Sequence, residues 1–201
     1  MGATAIGITF NEMMSGGVAM AETDPVRGHA NPQAAVLQMF NTITIDDVDR
    51  FIAEPNHAGS IQGHINWAPF GANITAPTGV FNLFSPTGDP TLKLMVYELA
   101  IEHAGKPYYL AGHKNVKAHP IIDMWKDTTT LYTQLFEGRD KSGPVAAAGI
   151  VSLSPIELLK MTSTFRALHA PSLEAGAAAV AKFGRFFLGE LWDTYVSKAA
   201  V

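Results

Sequence analysis

The stretch YELAIEHAGKPYYLAGHK, residues 97–114, predicts a β-hairpin, and the rest of the fold follows outward from it. Two apolar segments flank Ala104 and Gly105, and a glycine at this place is typical of a two-residue hairpin turn. With that turn, the residue numbers of any two residues that lie opposite each other on the two strands have the same sum as 104 and 105. One face of the hairpin is then apolar and should point to the core, and it consists of Met95, Tyr97, Leu99 and Ile101 opposite Lys114, Gly112, Leu110 and Tyr108.

The polar end of this face carries a titratable nitrogen in either of two registers. A two-residue turn places Lys114 there, and a three-residue turn places His113 there instead. A buried lysine is costly unless it is paired, and desolvation lowers its pKa, which is how a general-base or Schiff-base lysine arises. The alternative is that Lys114 extends to the rim of a barrel, with its stem packed and its ammonium group in water.

The segments around the hairpin predict a mainly β protein. Strand-like stretches occur at residues 4–17, 38–48, 59–67, 79–85, 92–103, 106–116, 128–138 and 143–153. The stretch 18–36 is rich in Gly, Pro, Asn and Ala and predicts a loop. Because the other links are too short for crossover helices, neighbouring strands should pair antiparallel. The sequence therefore predicts a meander that closes into a β-barrel, lipocalin-like (calycin) in outline.

Helices are predicted from about residue 155 to the C-terminus. Ser154, Pro155 and Glu157 form a helix start, with an N-cap serine, a proline at the first helical position and a glutamate for a capping box. A second helix is predicted over 173–199, and its apolar residues, Phe183 among them, should lie on the barrel. We predict one domain, 1–201, with these helices packed on the barrel.

The composition excludes several classes of protein. Hydrophobic residues make up 47% and charged residues 16% of the 201 positions, as in a folded globule. A net charge of -4 without a basic cluster argues against nucleic acid. Cysteine is absent, so disulfides and thiolate sites are excluded. The sequence shows neither a signal peptide nor a membrane span, and it carries no nucleotide-binding glycine motif. We therefore predict a cytoplasmic protein without a cofactor, and homo-oligomers stay open.

Carboxylates and histidines elsewhere give further candidates. Glu12 lies beside a glycine pair, either near the mouth of a pocket or in a solvated turn. The segment IDDVD, residues 45–49, either contributes to a Ca²⁺ site or forms a solvated turn, and it lacks the glycine and distal glutamate of an EF-hand loop. The histidines do not fall at metal-binding spacings, so no metal site is predicted.

Several motifs carry a resemblance to a known family. They are FNEMMSG (10–16), GVFNLF (79–84), MVYEL (95–99), YYLAGHK (108–114), WKDTTTLY (125–132) and FGRFFLGELWDTY (183–195). In this order they resemble an accessory domain of cholesterol-oxidase-like flavoproteins of the glucose–methanol–choline oxidoreductase group, without the flavin-binding part. The resemblance implies a setting of oxidised lipids or steroids and a flavin oxidoreductase as partner. The polar and aromatic positions most like the family's pattern are Glu12, Lys114, Trp125, Asp127, Arg166 and Trp192.

These observations support three hypotheses about function. The first is a barrel that binds a small hydrophobic molecule of the lipid, terpenoid or steroid type. Its ligand-binding residues would be Met95, Tyr97, Leu99, Tyr108, Leu110, Trp125 and Tyr132. The second is a cofactor-independent isomerase or cyclase that uses Glu12, Lys114 and His113 as acid and base. In that case Lys114→Met or Glu12→Gln abolishes turnover and leaves the melting temperature nearly unchanged. The third is a docking module for the flavin oxidoreductase.

Overall fold

The protein is mainly β in the computed structural model, which describes residues 5–117 and 129–189. The strands are β1 Gly7–Met20, β2 Ala35–Ile45, β3 Ala58–Trp67, β4 Gly71–Ala76, β5 Thr78–Pro86, β6 Leu92–His103, β7 Lys106–Lys117, β8 Thr130–Glu137, β9 Val145–Ser152 and β10 Arg166–Leu168. The helices are α1 Pro25–Ala30, α2 Val48–Ala53, α3 Pro155–Ser163 and α4 Leu173–Leu188.

Eight of the strands form a closed antiparallel barrel. The order around the barrel is β1, β2, β3, β5, β6, β7, β8 and β9, and pairing between β1 and β9 closes the ring. The two other strands extend this sheet, because β4 pairs with β3 and β10 pairs with β1. The prediction of a mainly β fold, with a meander that closes into a barrel and helices after it, is confirmed. Strands β4 and β10 and helices α1 and α2 were not predicted.

The hairpin of β6 and β7 has the register that a two-residue turn dictates. Met95 pairs with Lys114, and Tyr97 pairs with Gly112. Ala104 and Gly105 both have positive φ, 50° and 73°, as the commonest two-residue hairpin turn requires. The register with Lys114 on the core face is therefore confirmed, and the alternative with His113 in that place is wrong.

Glycines allow the barrel to close between β1 and β9. A Cβ atom on Gly16 would lie 2.1 Å from the backbone oxygen of Ile150, and one on Gly149 would lie 2.2 Å from the backbone oxygen of Gly17. Side chains at these positions would hold the two strands apart. This explains why β1 does not end at its glycine pair, as the sequence predicted, but continues through it to Met20.

Replacing one of these glycines should damage the seam. We expect Gly149→Ala to lower the free energy of unfolding by about 1–3 kcal/mol, the usual cost of overpacking. The measurement is urea denaturation followed by circular dichroism. Gly88→Ala is the control, since a Cβ atom there meets open space, and it should change stability by no more than about 0.5 kcal/mol. Equal effects of the two substitutions would contradict the role of Gly149 in closure.

Helices α2 and α4 cover the end of the barrel at which β1 begins. Phe183 of α4 is fully buried, and its ring centroid lies 5.6 Å from that of Phe10 on β1. Ser154 caps α3 by accepting a hydrogen bond from the Glu157 backbone at 3.2 Å, as predicted. The predicted helix at 173–199 is confirmed as far as Leu188, and residues 190–199 lie outside the described part of the chain.

Helices also occur in the stretch predicted as a loop and in the segment predicted as a Ca²⁺ site or a solvated turn. The stretch 18–36 holds the end of β1, helix α1 and the start of β2, so its prediction as a loop is wrong in part. In the segment 45–49, Asp47 accepts a hydrogen bond from the Arg50 backbone at 3.0 Å and caps α2. Asp49 forms an ion pair with Lys182 of α4 at 2.7 Å. These carboxylates therefore stabilise a helix start and its contact with α4.

Candidate functional site

The alternation of side chains along β1 places one carboxylate inside the barrel. Successive residues of a strand point to opposite faces, and Phe10, Glu12 and Met14 are all buried. Glu12 is 2% exposed and therefore faces the lumen between two apolar neighbours. The alternative of a solvated turn residue is wrong, because the strand continues past Glu12 for eight further residues.

The hairpin contributes a lysine and a tyrosine to the same interior. Lys114 of β7 is 0% exposed, and Tyr97 of β6 is 1% exposed. The alternative in which Lys114 reaches water at the barrel rim is therefore wrong. Full burial of a lysine is rare in proteins and requires a partner for its charge.

Glu12, Lys114 and Tyr97 meet in the lumen. The Lys114 Nζ atom lies 3.5 Å from Oε1 of Glu12 and donates a hydrogen bond of 3.3 Å to the Tyr97 hydroxyl. The Tyr97 hydroxyl in turn donates to Oε1 of Glu12 at 3.4 Å. The Nζ atom also lies 4.6 Å from the centre of the Tyr97 ring, within the range of a cation–π contact. Since β6 lies opposite β1 in the ring of strands, these contacts cross the barrel.

Burial changes the proton affinity of two of these groups. The pKa of Lys114 lies below its ordinary value, because desolvation disfavours the ammonium form more than the Glu12 carboxylate favours it. The pKa of Tyr97 lies well above its ordinary value, because of desolvation first and the nearby Glu12 carboxylate second. The tyrosine therefore stays a hydrogen-bond donor over the whole neutral range.

The lowered pKa of Lys114 predicts how stability depends on pH. Between the folded pKa and the ordinary value of 10.5, the unfolded chain binds more protons than the folded one, so the free energy of unfolding rises with pH. The raised pKa of Tyr97 makes the free energy of unfolding fall with rising pH, but only above the ordinary tyrosine pKa of 10.0. We expect the stability of the wild type minus that of Lys114→Met to increase as the pH rises over the alkaline interval below 10.0, the ordinary value of Tyr97. Urea denaturation across this interval measures it, and a constant difference would contradict the expectation.

Polar atoms without partners lie beside this group. Within the described residues, the buried side-chain atoms that lack a hydrogen-bond partner are Oε2 of Glu12, Oδ1 and Nδ2 of Asn41, and Nε1 of Trp67. Asn41 of β2 pairs directly with Glu12 in the sheet register and is 2% exposed. We call Glu12, Asn41, Tyr97 and Lys114 the interior polar cluster. Buried polar atoms are almost always paired in proteins, with other protein atoms or with ordered water.

Asn41 was missed in the sequence, although a signal for it exists. The inward positions of β2 are apolar on both sides of Asn41, at Met39 and Ile43. An asparagine that interrupts such an alternation either breaks the strand or faces a polar site in the core. The strand is unbroken, so the second explanation applies.

Some of the other predicted ligand-binding residues lie on the inner face of the barrel, and one lies on its outer face. Met95, Leu99 and Leu110 lie in the core beside Tyr97. Tyr108 is half-buried, and its ring lies 4.8 Å from that of Phe70. Tyr132, in contrast, lies on the outer face, which makes its prediction as a lumen contact wrong, and Trp125 lies outside the described residues.

His113 also lies on the outer face of the barrel. Its ring stacks on that of Tyr132 with 5.8 Å between centroids, and the residue is exposed. Partial desolvation, and then the ammonium group of Lys141, lower the pKa of His113. The prediction of His113 as a partner of Glu12 in catalysis is wrong, because alternation along β7 sends neighbouring side chains to opposite sides of the wall.

A shallow groove runs over the outside of the same strands. It has a volume of about 370 Å³ and is lined by residues of β1, β2, β3 and α3, including outward-facing ones and the buried Glu12 and Asn41. Asn11 is one of these residues, and its side chain accepts a hydrogen bond from the Thr42 hydroxyl at 3.0 Å. The groove therefore reaches Glu12 and Asn41 from the outside of the wall, although both residues are 2% exposed.

Metal sites and membrane-spanning helices are the remaining kinds of functional feature, and both concern the described part of the chain. No group of three or more His, Asp or Glu side chains there is arranged to hold a metal ion. No helix in the same residues is both long and apolar enough to cross a membrane.

The fold and the cluster define a class of protein: a small antiparallel barrel with a buried glutamate–lysine pair and unpaired polar atoms in its lumen. The chain matches no protein-family model, no curated protein and no solved structure. The resemblance to the accessory domain of cholesterol-oxidase-like flavoproteins, and the oxidoreductase partner that it implies, stay predictions.

Proposed function

We propose that the barrel binds a small, mainly apolar molecule of the lipid, terpenoid or steroid type, with a polar group of that molecule at the interior polar cluster. The observation that supports this best is the set of unpaired atoms on Glu12 and Asn41, buried in an apolar lumen. The interior of an eight-stranded barrel can be filled by side chains or can hold one small ligand.

The energetics favour a partner at this position. Each buried polar group without a hydrogen bond costs about 1–3 kcal/mol. A ligand that pairs with Oε2 of Glu12 and the Asn41 amide recovers part of this cost on binding. Around them the lumen offers buried apolar side chains, namely Met14, Met39, Ile65, Leu99 and Leu110. Such a site is apolar with few polar groups, as is typical of sites for small hydrophobic molecules.

Mass spectrometry of the organic extract tests the proposal. Protein purified without detergent is denatured and extracted, and the extract is compared with that of an unrelated protein from the same host. We expect a stoichiometric apolar compound, or else stabilisation of the folded protein by supplied sterols, terpenoids or lipids, as ligand linkage requires. An empty extract together with an unchanged melting temperature for all supplied compounds would refute ligand binding.

Acid–base catalysis is the second candidate, and a specific feature of Glu12 favours it. Its Oε1 atom is held by Lys114 and Tyr97, whereas Oε2 is unpaired. A carboxylate in this state can take a proton from a hydroxyl group or an activated carbon and return it to another carbon of the same molecule. The product is then an isomer or a ring-closed form of the substrate, so atoms balance without a co-reactant. Asn41 Nδ2, which lacks a partner within the described residues, can donate a hydrogen bond to a substrate oxygen.

A further inference from the structure

We infer that the molecule in the lumen is a neutral alcohol whose hydroxyl group lies between Glu12 and Asn41, and that carboxylic acids of the same size are rejected. This inference rests on the proposed ligand-binding function and deepens it, because it names the chemical class of the ligand and the residue that selects it.

The charge balance of the interior excludes a carboxylate ligand. Glu12 and Lys114 are the charged side chains that face the lumen among the described residues, and they neutralise each other at 3.5 Å. The Lys114 ammonium also donates to the Tyr97 hydroxyl. A ligand carboxylate would therefore approach a like-charged carboxylate, with the nearby cation already paired, and in an interior of low dielectric constant this is strongly unfavourable.

The unpaired atoms match a hydroxyl group. Oε2 of Glu12 can only accept a hydrogen bond when the carboxylate is paired with Lys114, whereas Asn41 offers both a donor and an acceptor. A hydroxyl group donates one hydrogen bond and accepts others, so it can donate to Oε2 and accept from Nδ2 of Asn41. A ketone can only accept, and it would leave Oε2 unpaired. A hydrocarbon would leave both residues unpaired, at the cost given above.

The position of Asn41 makes it the selecting residue. It lies directly across from Glu12 in the register of β1 and β2, where side chains on one face are about 4.5–5.5 Å apart at their Cβ atoms. One oxygen atom can therefore contact both side chains. Glu12 is already occupied on one oxygen by Lys114 and Tyr97, whereas both polar atoms of the Asn41 side chain lack a partner within the described residues.

The test uses three molecules of matched chain: farnesol, farnesoic acid and farnesene, which are an alcohol, an acid and a hydrocarbon. Dissociation constants are measured by titration calorimetry on the wild type, on Asn41→Leu and on Asn11→Leu. We expect farnesol to bind the wild type about tenfold or more tightly than the other two, as one well-placed hydrogen bond to a charged group allows. Asn41→Leu should remove the preference for farnesol over farnesene.

Asn11→Leu is the control for binding from the outer side, because Asn11 lies on the outer face of β1 next to Glu12 and lines the groove that Glu12 and Asn41 also line. It should leave all three affinities unchanged. If Asn41→Leu does not fold, Asn41→Ala provides the same comparison. Equal affinities for the three molecules, tightest binding of the acid, or an unchanged preference in Asn41→Leu would each overturn the inference, the last because the preference would then not depend on Asn41. If none of the three binds and the extract of the protein is also empty, the proposed ligand-binding function itself fails.

Discussion

Lys114→Met is expected to lower the free energy of unfolding by about 3–5 kcal/mol, the cost of breaking a buried ion pair by removing one partner. Methionine fills nearly the same volume, so the effect comes from the charge and not from a cavity. Glu12 would keep its buried carboxylate without the ammonium group that now lies 3.5 Å away. Urea denaturation at neutral pH measures the effect.

A surface ion pair provides the control for this experiment. Lys182 lies only 2.7 Å from Asp49, closer than Lys114 lies to Glu12, but these two side chains are 53% and 78% exposed. Lys182→Met should therefore cost no more than about 1 kcal/mol, because solvent screens exposed pairs. If both lysine substitutions have the same small effect, Lys114 is not buried as a charged group in the folded protein.

Removing both charges should restore much of the lost stability. Each single variant leaves one buried charge without its partner, whereas the combined variant Glu12→Gln with Lys114→Met buries no charged group. Its loss of stability should therefore be smaller than the sum of the losses of the two single variants. From the sequence we expected either single substitution to leave the melting temperature nearly unchanged. The burial of both residues replaces that expectation, and a catalytic role must therefore be tested with the folded fraction measured alongside the rate.

The barrel could be predicted because its determinants are local. The hairpin register follows from Ala104 and Gly105 together with the alternation on both sides of them, and all of this lies within eighteen residues. Short links between strands exclude crossover helices and leave a meander. The start of α3 at Ser154 depends on side chains no more than three residues away.

The parts that were missed depend on contacts between distant residues. In the sequence alone, Gly16 indicates the end of a strand. The reason for a glycine there is visible only in the fold, where a Cβ atom on residue 16 would lie 2.1 Å from the backbone oxygen of Ile150. Glu12 looks like a solvated residue until β6 and β7 place Tyr97 and Lys114 across the lumen from it. The alternation of side chains along a strand determines which residues face inward. It does not determine which inward-facing residues of different strands lie at the same level along the barrel axis and so contact one another.

Glu12→Gln is expected to lower the rate of a ring closure in the barrel by about 10²- to 10⁴-fold, if the second candidate function applies. A suitable probe is an acyclic terpenoid that carries a hydroxyl group and a conjugated ketone at ring-forming distance. Oε2 of Glu12 takes the hydroxyl proton as the oxygen bonds to the β-carbon, and the proton then goes to the α-carbon. Glutamine is close in size but cannot accept this proton. Chromatography of substrate and product measures the rate, and deuterium from heavy water at the α-carbon reports the proton transfer.

Glu98→Gln separates a specific role of Glu12 from a general effect of losing a carboxylate. Glu98 is also largely buried and also paired with a lysine, Lys141, at 2.6 Å, but it lies on the outer face of β6 and accepts a hydrogen bond from Tyr109 there. It should therefore leave the rate unchanged per folded molecule. Equal rates in both variants would show that ring closure occurs outside the lumen or without a base. A loss of rate confined to Glu12→Gln would identify Oε2 as the group that carries the proton.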